Sequence, residues 1–192
     1  MTSEHPVVVA VTGASGAALG VRVVERLAAI ERVRVHLVVT DAARRTLAHE
    51  VGPDAFQRLS GIAHVTHDVA NVGAALASGS FPTRGMIIVP CSMRTLSAIA
   101  AGVADNLVIR AADVHLKERR RLVLMARETP LHLGHLRAMV AASEMGAIIM
   151  PPVPAFYNRP ADVAEIIDQL AAKAIDLLAL PIGPLAPVWS GK

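Results

Sequence analysis

Residues 7–11, VVVAV, form a short unbroken apolar run that ends in the small-residue segment 12–20, TGASGAALG. A run of this length closed by glycine reads as a strand buried on both faces. Gly13 and Gly16 allow a tight turn and a close approach of backbone to ligand. Helical spacing follows at Leu19, Val23, Leu27 and Ile30, so a helix over residues 17–30 is expected. Its first turn would aim free N–H groups at whatever lies beyond the strand, which favours an anion. Residues 35–39 are a second apolar run, and Thr40–Asp41 supplies an N-cap for a helix over 42–50. Strand, helix, strand in this order requires a crossover connection and hence a parallel sheet.

The same alternation continues. Strands are predicted at 86–89, 122–125 and 147–150, with helices from about Thr95, over 131–145 and over 161–180. Residues 52–84 are less regular and read as a short helix, a strand near 64–66 and a Gly/Ser loop at 78–80. The tail, 181–192, carries three prolines and the only tryptophan. No repeat or linker interrupts the pattern, so residues 1–192 are expected to form one doubly wound α/β domain. Hydrophobic residues make up 53% of the chain and aromatics only 3%, which suits parallel strands packed with aliphatic side chains under helices. The same shortage of aromatics, with a net charge of only +3, argues against nucleic acid. One cysteine, Cys91, excludes an internal disulfide framework. No apolar run is long enough to span a bilayer, and the first residues lack the basic start of a secretory signal. A cytoplasmic protein with no membrane partner is expected.

Ligands of open parallel sheets bind beyond the carboxyl ends of the strands. Four unusual segments fall there: 12–16, 90–95 (PCSMRT), 126–130 (ARETP) and 151–160 (PPVPAFYNRP). Three familiar patterns fail at the first of them. G-x-G-x-x-G is absent, G-x-S-x-G is broken by Ala17, and Tyr157 is followed four residues on by Ala161 rather than lysine. Ser92, Thr95 and the N–H groups around them suit an anion or the edge of a ring, while Cys91 reads as a small buried hydrophobe. Arg110 and Lys117 lie seven apart, on one helical face, where they either converge on a phosphate or form a solvated basic face. Arg127 suits an anionic cofactor and Glu128 a proton donor or acceptor; alternatively the two are exposed and cap the next helix. The proline-rich loop either fixes Tyr157 in place or is an apolar lid without chemistry. His132 and His135 lack metal-site spacing, and no catalytic metal is expected.

Taken in order, TGASGA, SGSF at 78–81, PCSMRT, RAADVHLKERR, RETP and PAFY resemble the flavin prenyltransferases, the UbiX family, over roughly residues 7–180. The resemblance implies a flavodoxin-like (Rossmann-like) three-layer α/β/α sheet. It also implies a transferase that joins a dimethylallyl group from dimethylallyl monophosphate to N5 and then C6 of reduced FMN, without a metal. The prenylated FMN would go to a UbiD-type decarboxylase. By position, Gly13, Ala14, Ser15, Thr40, Ser92, Met93, Arg94, Thr95 and Arg127 are implied in FMN binding. Tyr157 and Lys173 match residues that bind the prenyl phosphate, with Arg110, Lys117 and Glu128 around it. Glu50 matches a glutamate that reaches in from a neighbouring subunit of a homododecamer. Ser15, Lys117 and Glu128 are the implied catalytic residues: Lys117 stabilises the leaving phosphate, and Glu128 protonates it or, with Ser15, relays the C6 proton. Three departures from the family pattern are Arg94 in place of lysine, a segment 68–77 unlike the tryptophan-containing version of some members, and Lys173 in place of arginine, the last weakening bidentate phosphate binding. An FMN-dependent cysteine decarboxylase is the runner-up, although the segment Pro-Ala-Ser-Ala-Asn-Thr is missing; a non-catalytic flavin carrier is the third reading.

Overall fold

The computed structural model of the protein describes residues 4–191. Residues 1–3 and 192 lie outside it, and with them the first residues of the expected leaderless start and the end of the tail. The first half runs β1 (His5–Val11), α1 (Ala17–Ala28), β2 (Val33–Val39), α2 (Asp41–Glu50), α3 (Ala55–Ile62) and β3 (Val65–His67). The second half runs β4 (Met86–Cys91), α4 (Met93–Ala100), α5 (Leu107–Lys117), β5 (Leu122–Ala126), α6 (Leu133–Glu144), β6 (Ile148–Ile149) and α7 (Val163–Asp176). All six strands are parallel, in the order β3-β2-β1-β4-β5-β6. The chain winds outward from β1 in one direction and from β4 in the other, so the switch point lies between these two strands.

Period-two alternation along β1 divides the interior into two cores. Val7, Val9 and Val11 pack with Leu19, Val23 and Leu27 of α1, Leu47 of α2, Leu59 of α3 and Ile175 of α7. Val8 and Ala10 face the other way, onto Leu96 of α4, Leu107 and Ile109 of α5 and Ala142 of α6. Helices therefore cover both faces of the sheet, which is why β1 is apolar at every position from 7 to 11. Gly20 sets how closely α1 approaches the sheet: a Cβ there would stand 2.7 Å from the carbonyl oxygen of Val89.

Most expected elements are present, with boundaries shifted for local reasons. β1 and β2 each begin two residues earlier than the apolar runs suggest, at His5 and Val33, because the two strands pair in register from there. α4 starts at Met93, two residues before the expected Thr95, because the Ser92 hydroxyl caps it by accepting the N–H of Thr95 at 3.3 Å. α7 stops at Asp176 rather than Leu180; Ala179 takes φ 51° and the chain turns back ahead of Pro181. The last strand shrinks to Ile148–Ile149, held only by β5 at the sheet edge. Among the described residues no helix is long and apolar enough to cross a membrane.

Candidate functional site

Three helices, α2, α4 and α5, begin at the carboxyl edge of the sheet around one cleft of about 540 Å³. Gly13, Thr40, Ser92, Arg94, Thr95 and Asn106 line it. A side chain closes each of these helix starts: Thr40 accepts the N–H of Ala43, Ser92 that of Thr95, and Asn106 that of Ile109. The remaining N–H groups and the aligned helix dipoles make the cleft a place for a phosphate. Thr12 braces its floor, donating from Oγ1 to the carbonyl of Pro90 at 2.7 Å and accepting the N–H of Ser92 at 2.9 Å. At Gly13 a Cβ would stand 2.5 Å from the Cβ of Ala42, so the loop lies against α2 only because residue 13 is glycine. Arg94 crosses the cleft mouth to pair with Asp105 at 2.5 Å.

Beside this cleft the loop continues to Ser15 and Gly16. Gly16 caps α1 with no side chain of its own, at φ 107°. The missing acceptor comes from Glu50, the last residue of α2, whose Oε2 takes the N–H groups of Gly16 at 2.9 Å and Ala17 at 2.8 Å. Burial by itself would push the Glu50 carboxyl up. Hydrogen bonds from the Ser15 hydroxyl and from the Ala17 and Gly16 N–H groups, with the Arg127 charge, outweigh it and hold the group below the usual carboxylate range. Glu50 thus reaches the Ser15 loop from its own chain, where the family pattern had it arriving from a neighbouring subunit. Arg127 itself donates its backbone N–H to the carbonyl of Cys91 and makes no ion pair among the described residues.

A second pocket, of about 660 Å³, opens between the proline-rich loop, α7 and the C-terminal tail. Tyr157, Lys173, Ile166 and Trp189 are among its walls. The Trp189 and Tyr157 rings meet edge to face with centroids 5.4 Å apart. Lys173 has no ion-pair partner among the described residues, so its charge is free for a ligand anion.

The remaining expected residues are placed differently. Ala14, Ser15 and Arg127 lie outside the lining of the first cleft, and Met93 turns its side chain into the core, leaving only its backbone for a ligand. Arg110 pairs with Asp113 at 2.6 Å and Lys117 with Glu118, so within one chain each basic group already has a carboxylate. Neither lines either pocket. Glu128 is exposed and, among the described residues, accepts only the N–H of Thr129 next to it. Burial pushes the Cys91 thiol up to about 12, which fits an inert core cysteine. Two contributors escaped the sequence reading. Asn106 was legible as an N-cap before the apolar run LVI, whereas nothing local marked where the tail would carry Trp189.

The chain matches the family model described as Flavoprotein over residues 1–176. It is 52% identical to the flavin prenyltransferase UbiX of Thauera aromatica over 185 residues, covering 96% of this chain and 94% of that one. The chain belongs to the flavin prenyltransferases. UbiX of Escherichia coli (strain K12) is 49% identical over 185 residues, with 96% and 97% of the two chains covered. Among solved structures, AnUbiX (PadA1) in complex with FMN and dimethylallyl pyrophosphate superimposes with a TM-score of 0.89 at 44% identity, covering 98% of this chain and 99% of that one. A dodecameric FMN-dependent UbiX-like decarboxylase from Escherichia coli O157:H7 gives 0.91 at 45% identity, covering 97% and 100%. The cypemycin decarboxylase CypD, at 17% identity and a TM-score of 0.62, shares the fold alone.

Proposed function

We propose that this flavin prenyltransferase transfers a dimethylallyl group from dimethylallyl monophosphate to N5 and C6 of reduced FMN. The observation that carries this reading is the second pocket. The Tyr157 phenol and the Lys173 ammonium, which has no ion-pair partner among the described residues, stand beside the Trp189 ring, as a phosphate on a short branched apolar chain requires. The first cleft fits FMN, because the Gly13 cradle and the helix starts at Thr40 and Ser92 match the needs of a flavin phosphate and ring edge. When bound, reduced flavin supplies the nucleophilic N5 and C6.

The chain's own residues do the rest. Lys173 and Tyr157 hold the departing phosphate, and Lys173 offsets the charge that grows on it as the allylic C–O bond breaks. Trp189 and Tyr157 offer π-faces to the dispersed cation. Ser15 and Glu50 are the proton-accepting pair that the fold brings together, with Glu50 kept ionised to receive the C6 proton through the Ser15 hydroxyl. Glu128 is assigned to protonating the phosphate, with Arg110 and Lys117 around it.

The FMN cleft and the donor pocket share no lining residue. We infer that they meet between copies of the chain, in a homododecamer like the similar dodecameric structure, so that Arg110, Lys117 and Glu128 act at that junction. The product, prenylated FMN, would serve a UbiD-type decarboxylase in the cytoplasm. Anaerobic incubation with reduced FMN and dimethylallyl monophosphate, followed by mass measurement of the extracted flavin, tests the reading. A gain of one prenyl unit is expected; FMN returned unchanged overturns it.

A further inference from the structure

Asp176 is the last residue of α7, three positions beyond Lys173, and it also lines the donor pocket. Its two carboxylate oxygens are fully engaged by the returning tail: Oδ1 accepts the N–H of Leu185 at 2.8 Å and Oδ2 the N–H of Ala186 at 3.0 Å. A carboxylate is electrostatically misplaced at a helix C-terminus, where the dipole is negative. Two charge-assisted bonds to backbone N–H groups outweigh that. They also direct the carboxylate toward the tail, and Lys173 keeps its charge for an anion.

The tail needs such a fixed point. Leu178 and Leu180 bury their side chains and anchor the turn after α7, at 3% and 7% exposed. Beyond Ala186 the chain has little to hold it: Val188 is 75% exposed and Trp189 is 61% exposed, in edge contact with Tyr157. The last polar tie before the aromatic wall is therefore the pair of bonds to Asp176.

The geometry points to Asp176 as a positioning residue for the prenyl donor: its carboxylate clasps the tail so that Trp189 closes over Tyr157 and Lys173. This rests on the second pocket being the donor pocket. Closure before the donor arrives lowers the ordering cost of binding it, so the clasp acts on donor KM more than on the chemical step.

The test uses the full chain and its single tryptophan. Asp176→Asn keeps the shape but replaces one acceptor oxygen with a donor that faces an N–H. Ala186→Pro deletes one N–H from the tail side and leaves α7 untouched, which guards against misfolding of the first variant. Both are expected to lower Trp189 fluorescence anisotropy with no substrate present. Both should raise KM for dimethylallyl monophosphate about fivefold, with kcat and FMN affinity near wild type. Wild-type anisotropy in both variants overturns the clasp. Lowered anisotropy with unchanged donor KM overturns the positioning role, provided that Lys173→Ala raises that KM. Lys173→Ala and Tyr157→Phe with wild-type donor KM overturn the pocket reading instead, and the anisotropy result then stands apart from it.

Discussion

At the scale of single residues, Glu50 is the clearest case of a side chain serving both fold and chemistry. Its carboxylate caps a helix that has none of its own, and the same bonds hold it ionised beside Ser15. Glu50→Gln removes the charge but keeps one acceptor oxygen. Prenyl transfer is expected to slow on the order of 100-fold, while FMN still binds, as read by single-turnover kinetics and flavin titration. A wild-type rate would remove Glu50 from the proton path. Glu128 makes a sharper contrast: it is exposed, and among the described residues its carboxylate accepts one hydrogen bond, from the N–H of Thr129 next to it. Glu128→Gln should leave the melting temperature within a degree or so and still reduce turnover, since surface changes away from packed features are nearly neutral. Unchanged turnover would leave the phosphate to Lys173 and Tyr157.

At the scale of elements, the loop before β4 depends on a buried polar chain. His115 of α5 is 1% exposed, with Nδ1 donating to the carbonyl of Ala111 and Nε2 facing the Thr83 hydroxyl at 2.9 Å. Arg120 ties the same loop, donating to the carbonyls of Phe81 at 2.7 Å and Gly79 at 2.5 Å. Burial, with the Arg120 charge adding to it, pulls the His115 imidazole from 6.5 down to about 4; burial does the same to His36 on β2, beside His67. Because the folded pKa lies below the unfolded one, the unfolded chain takes up the proton first. Stability is therefore complete above pH 6.5 and is lost as pH falls toward 4, by about 3 kcal/mol for His115. Urea midpoints measured between pH 7 and 5 should fall, and His115→Gln should flatten that slope. A slope unchanged by His115→Gln would place the acid sensitivity elsewhere. Asp168 sits outside this window: Arg26 and Arg22 hold its carboxyl at about 2, so the clamp between α1 and α7 fails only in stronger acid.

At the scale of the whole molecule, one chain leaves its apolar surface incomplete. α6 shows Leu133, Leu136 and Val140 at 59%, 46% and 57% exposed, and buries only Ala142. In the proposed homododecamer, another copy of the chain would cover such a stripe. If the FMN cleft of one copy meets the donor pocket of another, Ser15→Ala and Lys173→Ala should each be nearly inactive alone. Co-expressed as mixed oligomers they should recover a measurable share of the wild-type rate, because some junctions pair two intact halves. No recovery in verified mixed oligomers would place both halves of the site in one chain.

The sequence by itself determined β1, the glycine loop, the helix cap at Thr40 and the parallel sheet. These follow from short-range rules: alternation of side chains, the φ range open to glycine, and the competition of Ser and Thr hydroxyls for free N–H groups. It also carried the family, because six short motifs in one order constrain far more than any one of them. Tertiary structure alone decided that Glu50 would cap α1 from 34 residues away and that the tail would fold back to Asp176. Those pairings depend on which helix face lies on which side of the sheet and on where a turn redirects the chain. Glu50 and Gly16 lie 34 residues apart, so no short window of sequence contains both.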